Sequence, residues 1–154
     1  MKKILLLAVA TGFIFSSCSS NDDAENEQNL HPIVGTWKMT KTMVISGSNN
    51  ATLLSDPVSV CEGKETYEFK SDNKIIINYY AGSGSNCTFD GTETGTYSYN
   101  DATKKLSMTF PNSSSSDSAT LHSLNNSEMM LIEDIGDYNN DGIDDISVLV
   151  FNKQ

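Results

Sequence analysis

From Trp37 to Asn152, apolar side chains recur at every second residue, in short runs separated by Gly, Asn, Ser and Asp. Successive side chains of a strand point to opposite sides, so this alternation marks strands with one covered face. Trp37, Met39, Met43 and Ile45 fall on one face of a first strand, Tyr67 and Phe69 mark a second, and Ile75, Ile77 and Tyr79 a third. Tyr97 with Tyr99, Leu106 with Met108 and Phe110, and Ala119 with Leu121 continue the series. Segments 128–134 and 146–152 are apolar on both faces. No stretch beyond residue 17 carries a sustained three-to-four period, and Ser, Thr, Asn and Gly are spread throughout, so helices are disfavoured.

Eight or nine strands joined by short turns read as an antiparallel up-and-down meander. Such a sheet must hide its edges, either by closing on itself or by stacking in two layers. The expected fold class is therefore all-β, with the meander closing into a barrel of about eight strands. A barrel of that size is filled by its own side chains or holds one small ligand. The whole chain of 154 residues suffices for one such domain, placed at 33–154.

Gly35-Thr36-Trp37, at the entry to the first strand, resembles the Gly-x-Trp signature of lipocalins. Cys61, Tyr67-Glu68-Phe69-Lys70, the polar turn Ser71-Asp72-Asn73, Cys87, Gly95-Thr96-Tyr97 and Lys105-Leu106 follow in order. Together they resemble the lipocalin-like domain of small secreted bacterial lipoproteins. The likeness covers residues 33–154, with Tyr97 standing where that family usually has a second Trp. It implies a lipocalin-like β-barrel with Trp37 packed across its closed end, and it implies a binding module without implying a chemistry.

The N-terminus reads as a processing signal. Lys2 and Lys3 precede an apolar run from Ile4 to Phe15, too short to span a bilayer, and Ser16-Ser17-Cys18 closes it with small residues and a cysteine. The ending resembles the lipobox of bacterial lipoproteins, with Phe15 where Leu is usual. The resemblance implies a signal peptide at 1–17 and Cys18 as the first mature residue, carrying acyl chains. Several such chains, at about 0.8 kcal/mol per buried CH2, anchor a protein firmly. Residues 18–32 then form an acidic flexible tether, Asn-rich and of low hydrophobicity. Its stretch from Ser20 to Glu27 resembles the export tag of surface lipoproteins, and Ser19, where an Asp would signal retention, argues by the same resemblance against the inner membrane. The expected place is the outer membrane, facing the cell surface, with a periplasm-facing anchor as the alternative.

Setting Cys18 aside leaves Cys61 and Cys87, one pair for an oxidising compartment. Closing that loop constrains the unfolded chain by roughly 3–4 kcal/mol.

Charge narrows the partners. All ten basic residues are Lys, against 20 acidic ones, and the net charge is −10. Without the leader, 8 Lys face the same 20 acids, giving −12. A chain with no guanidinium and this much negative charge repels polyanions, which excludes nucleic acid as a partner and disfavours anionic lipid surfaces.

The most specific chemical motif is Asp137-Tyr138-Asn139-Asn140-Asp141-Gly142-Ile143-Asp144-Asp145. Calcium takes six to eight hard oxygens, and acidic or amide side chains at alternate positions of a tight loop supply them. Asp137, Asn139 and Asp141 stand at positions one, three and five, Ile143 offers its carbonyl, and Asp145 closes at position nine. The spacing resembles calcium-binding repeats, although Val148 occupies position twelve, where the helix-loop-helix version has Glu. A structural calcium ion, Ca2+, is the expected cofactor. The competing reading is an acidic hairpin turn, for which Asn-Asp-Gly is good chemistry without metal.

No Gly-rich phosphate loop, Ser-His-Asp arrangement or thiolate or His metal cluster is present, and no catalytic residues are expected. His31 falls in the tether and His122 in a strand. Asp117-Ser118-Ala119 has the shape of a bacterial O-glycan acceptor, a match short enough to arise by chance. The expected function is a lipid-anchored binding module, not an enzyme, for a small apolar molecule in the barrel or a glycan at its mouth. The alternative is an accessory subunit of an outer-membrane complex with a filled barrel. The fit of Trp37, Met39, Tyr97, Tyr99, Met108 and Phe110 separates the two.

Overall fold

In the computed structural model, residues 30–111, 113 and 116–154 are described. The expected signal peptide, Cys18 and the tether as far as residue 29 lie outside them. Among the described residues, nine strands follow one another: β1 (Gly35–Ile45), β2 (Thr52–Pro57), β3 (Thr66–Phe69), β4 (Lys74–Ser83), β5 (Asn86–Asn100), β6 (Lys105–Thr109), β7 (Asp117–Leu124), β8 (Glu128–Gly136) and β9 (Asp145–Lys153). A 3-10 turn, Glu62–Lys64, interrupts the series between β2 and β3. Neighbours pair antiparallel in the order β2-β1-β3-β4-β5-β6-β7-β8-β9, and β9 returns to pair with β1. The meander thus closes into a ring, as the alternation predicts.

The inside is set by register. Trp37 faces Tyr67, Tyr67 faces Ile77, and Ile77 faces Glu93 across successive ladders, so all four point to the same side. Tyr97 with Met108, Leu106 with Ala119, and Leu121 with Leu131 complete that side. The core cluster of Ile33, Trp37, Phe69, Ile75, Ile77, Tyr97, Leu106, Phe110, Leu121, Met129 and Phe151 fills it. Segments 128–134 and 146–152 are apolar throughout because they are covered on both sides. Met129, Leu131, Leu149 and Phe151 join the inner cluster, while Val148 and Val150, fully buried, pack outside with Ile45, Met43, Met130 and Ile146.

Two strand assignments differ from the sequence expectation. Met43 and Ile45 do not share the face of Trp37 and Met39. A bulge between Met39 and Lys41 inserts an extra residue against β9, so Met43 pairs with Val148 and Ile45 with Ile146 on the outer side. Thr42 and Val44, opposite Leu149 and Ser147, turn inward instead. Strand β2 was also invisible to the alternation. All six of its residues are exposed, and it adds to β1 through backbone pairing alone, from Lys41 opposite Pro57 to Ile45 opposite Thr52.

Candidate functional site

At the end of the ring where β1 begins, the interior is sealed. Trp37 is fully buried, its indole Nε1–H donates to the Ile33 carbonyl at 2.8 Å, and Phe69 meets Tyr97 edge-on at 4.9 Å between centroids. The Lys153 ammonium lies 5.1 Å from the Trp37 ring centroid and donates to the Pro32 carbonyl at 2.9 Å. Its burial lowers the Lys153 pKa. Gly35 explains the first residue of the Gly-x-Trp triplet. Its φ is +139°, and any Cβ there would run into the Lys153 stem. Trp37 therefore takes the position that the resemblance implies, across the closed end.

Towards the other end, inward side chains lose their cover. Met39, Tyr67, Tyr79, Met108, Leu131 and Leu149 pack against the core yet remain only half-buried, although their register turns them into the ring. Of the six residues chosen to distinguish a filled from a hollow barrel, Trp37, Tyr97 and Phe110 are buried, whereas Met39, Tyr99 and Met108 are half-buried. The interior is a cup, packed at its base and accessible above.

Polar groups line the upper part of that cup. Tyr67 Oη donates to Glu65 Oε2 at 2.9 Å and Tyr79 Oη to Glu93 Oε2 at 3.1 Å. Burial, then the bond to Glu93 and the nearby Glu93, Glu65 and Asp117 carboxylates, push the Tyr79 phenol up to about 12. The Tyr67 phenol is raised as well, by burial first and then by Glu65. Asp117, exposed at the start of β7, faces Met108 and so stands on the inward register, and Ser147 donates to Glu133 Oε2 at 3.2 Å. Read singly, these acids look like solvated strand positions; the parity of Glu93 with Gly95 and Tyr97 is the sequence signal of its inward side.

The rim is held in two places. Cys61 and Cys87 form the expected disulfide, tying the chain beside the 3-10 turn to the β4–β5 hairpin. Opposite, Asp145 is fully buried and accepts from the amides of Gly47 and Tyr138, each at 3.0 Å.

The expected calcium loop lies on this rim between β8 and β9. Asp137 accepts from the amides of Asp141 and Gly142, Asn139 Oδ1 from Asp141, and Asp141 Oδ1 from Ile143. The Ile143 amide, with Asn139 and Ser48, lowers the Asp141 pKa. Asn140 and Gly142 adopt φ of 61° and 83°, which makes the turn. Asp137, Asn139 and Asp141 are exposed hard-oxygen donors and fit calcium by type, while the oxygens of Asp137 and Asp145 alike accept from backbone amides, those of Asp145 in a fully buried position. Among the described residues, no three His, Cys, Asp or Glu side chains converge as a metal-holding group.

His31, at the closed end, contacts Asp101 at 2.8 Å and lies against Tyr99 at 5.4 Å between ring centroids. These residues border a recess of about 280 Å3 outside the cup, together with Ile33, Asn73 and Tyr97. His122 is exposed on β7, and the Asp117-Ser118-Ala119 triplet is paired into the sheet opposite β6.

Comparison with known proteins gives a match of residues 33–131 to the model of the lipocalin-like domain. Among solved structures, a lipocalin-like protein from Bacteroides uniformis is 15% identical, with 80% of this chain and 100% of that chain covered and a TM-score of 0.48. A bovine odorant-binding protein, solved in complex with a selenium-containing odorant, is 12% identical, with 83% of this chain and 74% of that chain covered and a TM-score of 0.39. A search of curated proteins finds no match.

Proposed function

The chain belongs to the lipocalin-like domain family, and from that premise we propose that it is a binding protein that holds a small apolar molecule in the upper half of its barrel. One observation carries the reading: inward side chains are fully covered around Trp37 but only half-buried at Met39, Tyr67, Met108, Leu131 and Leu149. An apolar surface that the fold leaves accessible inside a closed sheet gains about 25 cal/mol for each Å2 that a ligand covers. Among the described residues, no reacting constellation accompanies it. The carboxylates of Glu65 and Glu93 accept from the Tyr67 and Tyr79 phenols, with no His, Ser or Cys in the pair.

This cup stands outside the inner membrane in the same reading, held to the outer membrane by acyl chains on Cys18 and facing the cell surface. The lipobox-like Ser16-Ser17-Cys18 and the acidic stretch behind it support that placement. It also includes one structural calcium ion in the 137–145 loop. Support comes from the spacing of Asp137, Asn139 and Asp141 and from their exposure on the rim.

Native mass spectrometry of the protein purified from its own cells tests all three parts together. The expected spectrum carries the acyl mass on Cys18, one calcium ion and a retained small molecule. A bare polypeptide mass, with no saturable binding of the neutral probe N-phenyl-1-naphthylamine, would overturn the cup reading.

A further inference from the structure

Resting on the reading of the barrel as a binding cup, we infer that its ligand is a cationic amphiphile: an apolar body with an ammonium head seated at the mouth between Tyr67 and Tyr79.

Among the described residues, the charge on the inward register above the base is of one sign; Lys64, in the 3-10 turn beside Glu65, is exposed and makes no ion pair. Glu93 faces inward because it pairs with Ile77, and Asp117 because it pairs with Met108. Glu65 lies close enough to bond the inward Tyr67 phenol. Lys38, Lys41, Lys74 and Lys105 pair with Asn152, Val150, Thr96 and Thr120 respectively, on the outward register. Lys153 is the strand lysine that turns inward, and it sits at the sealed base, held by the Pro32 carbonyl over Trp37. Among the described residues, the lysine ion pairs are Lys70–Glu68 and Lys74–Asp72, so the Glu65, Glu93 and Asp117 carboxylates have no lysine to neutralise them.

The tyrosines supply the second element. Each phenol donates to a carboxylate, which fixes the acid against the wall and leaves the half-buried ring beside the mouth. An aromatic face next to an anion is the environment that recognises ammonium groups, and partial removal from water strengthens both attractions. Below the mouth, Met39, Met108, Leu131 and Leu149 offer flexible apolar surface for a chain. An anionic amphiphile of the same length would bring its carboxylate against three others, so the cup selects on charge where its apolar wall selects only on size.

The test uses three probes of one chain length: octyltrimethylammonium, 1-octanol and octanoate. Each is titrated calorimetrically into the full chain carrying Cys18→Ser, so that no acyl chain competes for the cup. The expected order is the cation first, the alcohol second and the anion last, with cation and anion about tenfold apart or more in low salt. The gap narrows as salt is raised. In Glu93→Gln and Glu65→Gln the cation preference falls several-fold, while 1-octanol affinity stays within about twofold and reports an intact cup. Octanoate binding as tightly as the cation, or a preference indifferent to both substitutions, overturns the inference and leaves the cup standing. Failure of all three probes to bind removes the cup and the inference with it.

Discussion

Asp145 Oδ1 accepts a hydrogen bond from the Gly47 amide at 3.0 Å, joining residues 98 positions apart. Its other oxygen takes the Tyr138 amide, and the side chain is fully buried. One carboxylate thereby holds the β1–β2 turn to the loop that follows β8, on the rim of the cup. The approach is close: a Cβ on Gly47 would be driven into the Asp144 carbonyl, which is backbone and cannot step aside.

Asp145→Ala leaves two backbone N–H groups without their partner. Hydrogen bonds to a charged group contribute about 1.5–3 kcal/mol each, less where water reaches the freed donor as it can at exposed Gly47 and Tyr138, so a loss of about 2–4 kcal/mol is expected. Asp145→Asn keeps one acceptor and loses about half as much. Gly47→Ala is expected to destabilise through steric conflict with the same loop. Urea midpoints at unchanged slope measure all three. Variants within about 0.5 kcal/mol of the parent would show that the clamp contributes nothing.

The disulfide closes a separation of 26 residues between Cys61 and Cys87. Opening it by reduction, or by Cys61→Ser with Cys87→Ser, is expected to lower stability by roughly 3–4 kcal/mol through the freedom returned to the unfolded chain. Thermal melts with and without reductant give the value, and the double Ser variant should no longer respond to reductant.

Much of the fold was legible because burial here is one-sided. Phe69, Tyr97, Leu106 and Leu121 alternate with polar neighbours, and the structure buries each of them. The Cys61–Cys87 pairing and the position of Trp37 followed from compartment and from the Gly-x-Trp triplet. Three features lay beyond that kind of reading. Strand β2 carries no alternation because both of its faces meet solvent. The bulge at Met39/Lys41 reverses parity within a single strand, so Met43 and Ile45 look inward by count and point outward in fact. The inward acids Glu65, Glu93 and Asp117 resemble turn residues or solvated positions when read singly, and their common orientation exists only once strands are paired.

If the 137–145 loop takes calcium, the ion stabilises the folded chain by mass action, by about 2.7 kcal/mol when its free concentration stands a hundredfold above its dissociation constant. The melting temperature should then rise in calcium over chelator, and the rise should disappear in Asp141→Ala. Equal melting temperatures in calcium and chelator would leave the loop as an acid-capped turn closed by its own amides.

Alkaline pH tests the tyrosine–carboxylate pairs. The Tyr79 phenol titrates near 12 in the folded state, against an ordinary value of 10.0, because burial and the Glu93, Glu65 and Asp117 carboxylates oppose its ionisation. The Tyr67 phenol is displaced in the same direction. A raised folded pKa means that the folded state binds the proton more tightly than the unfolded state. The resulting stability is fully present below about pH 10 and is lost as pH climbs from there through 12. Urea midpoints across that window should fall more steeply for the parent than for Tyr79→Phe, which has no phenol to titrate. Glu93→Gln should act by a different route: it keeps an acceptor but removes the anion, so the Tyr79 phenolate absorbance should appear at lower pH than in the parent. Phenolate curves that superimpose in parent and Glu93→Gln would show that the Glu93 carboxylate exerts no hold on the phenol, and with it the local field that distinguishes this mouth from the apolar wall below.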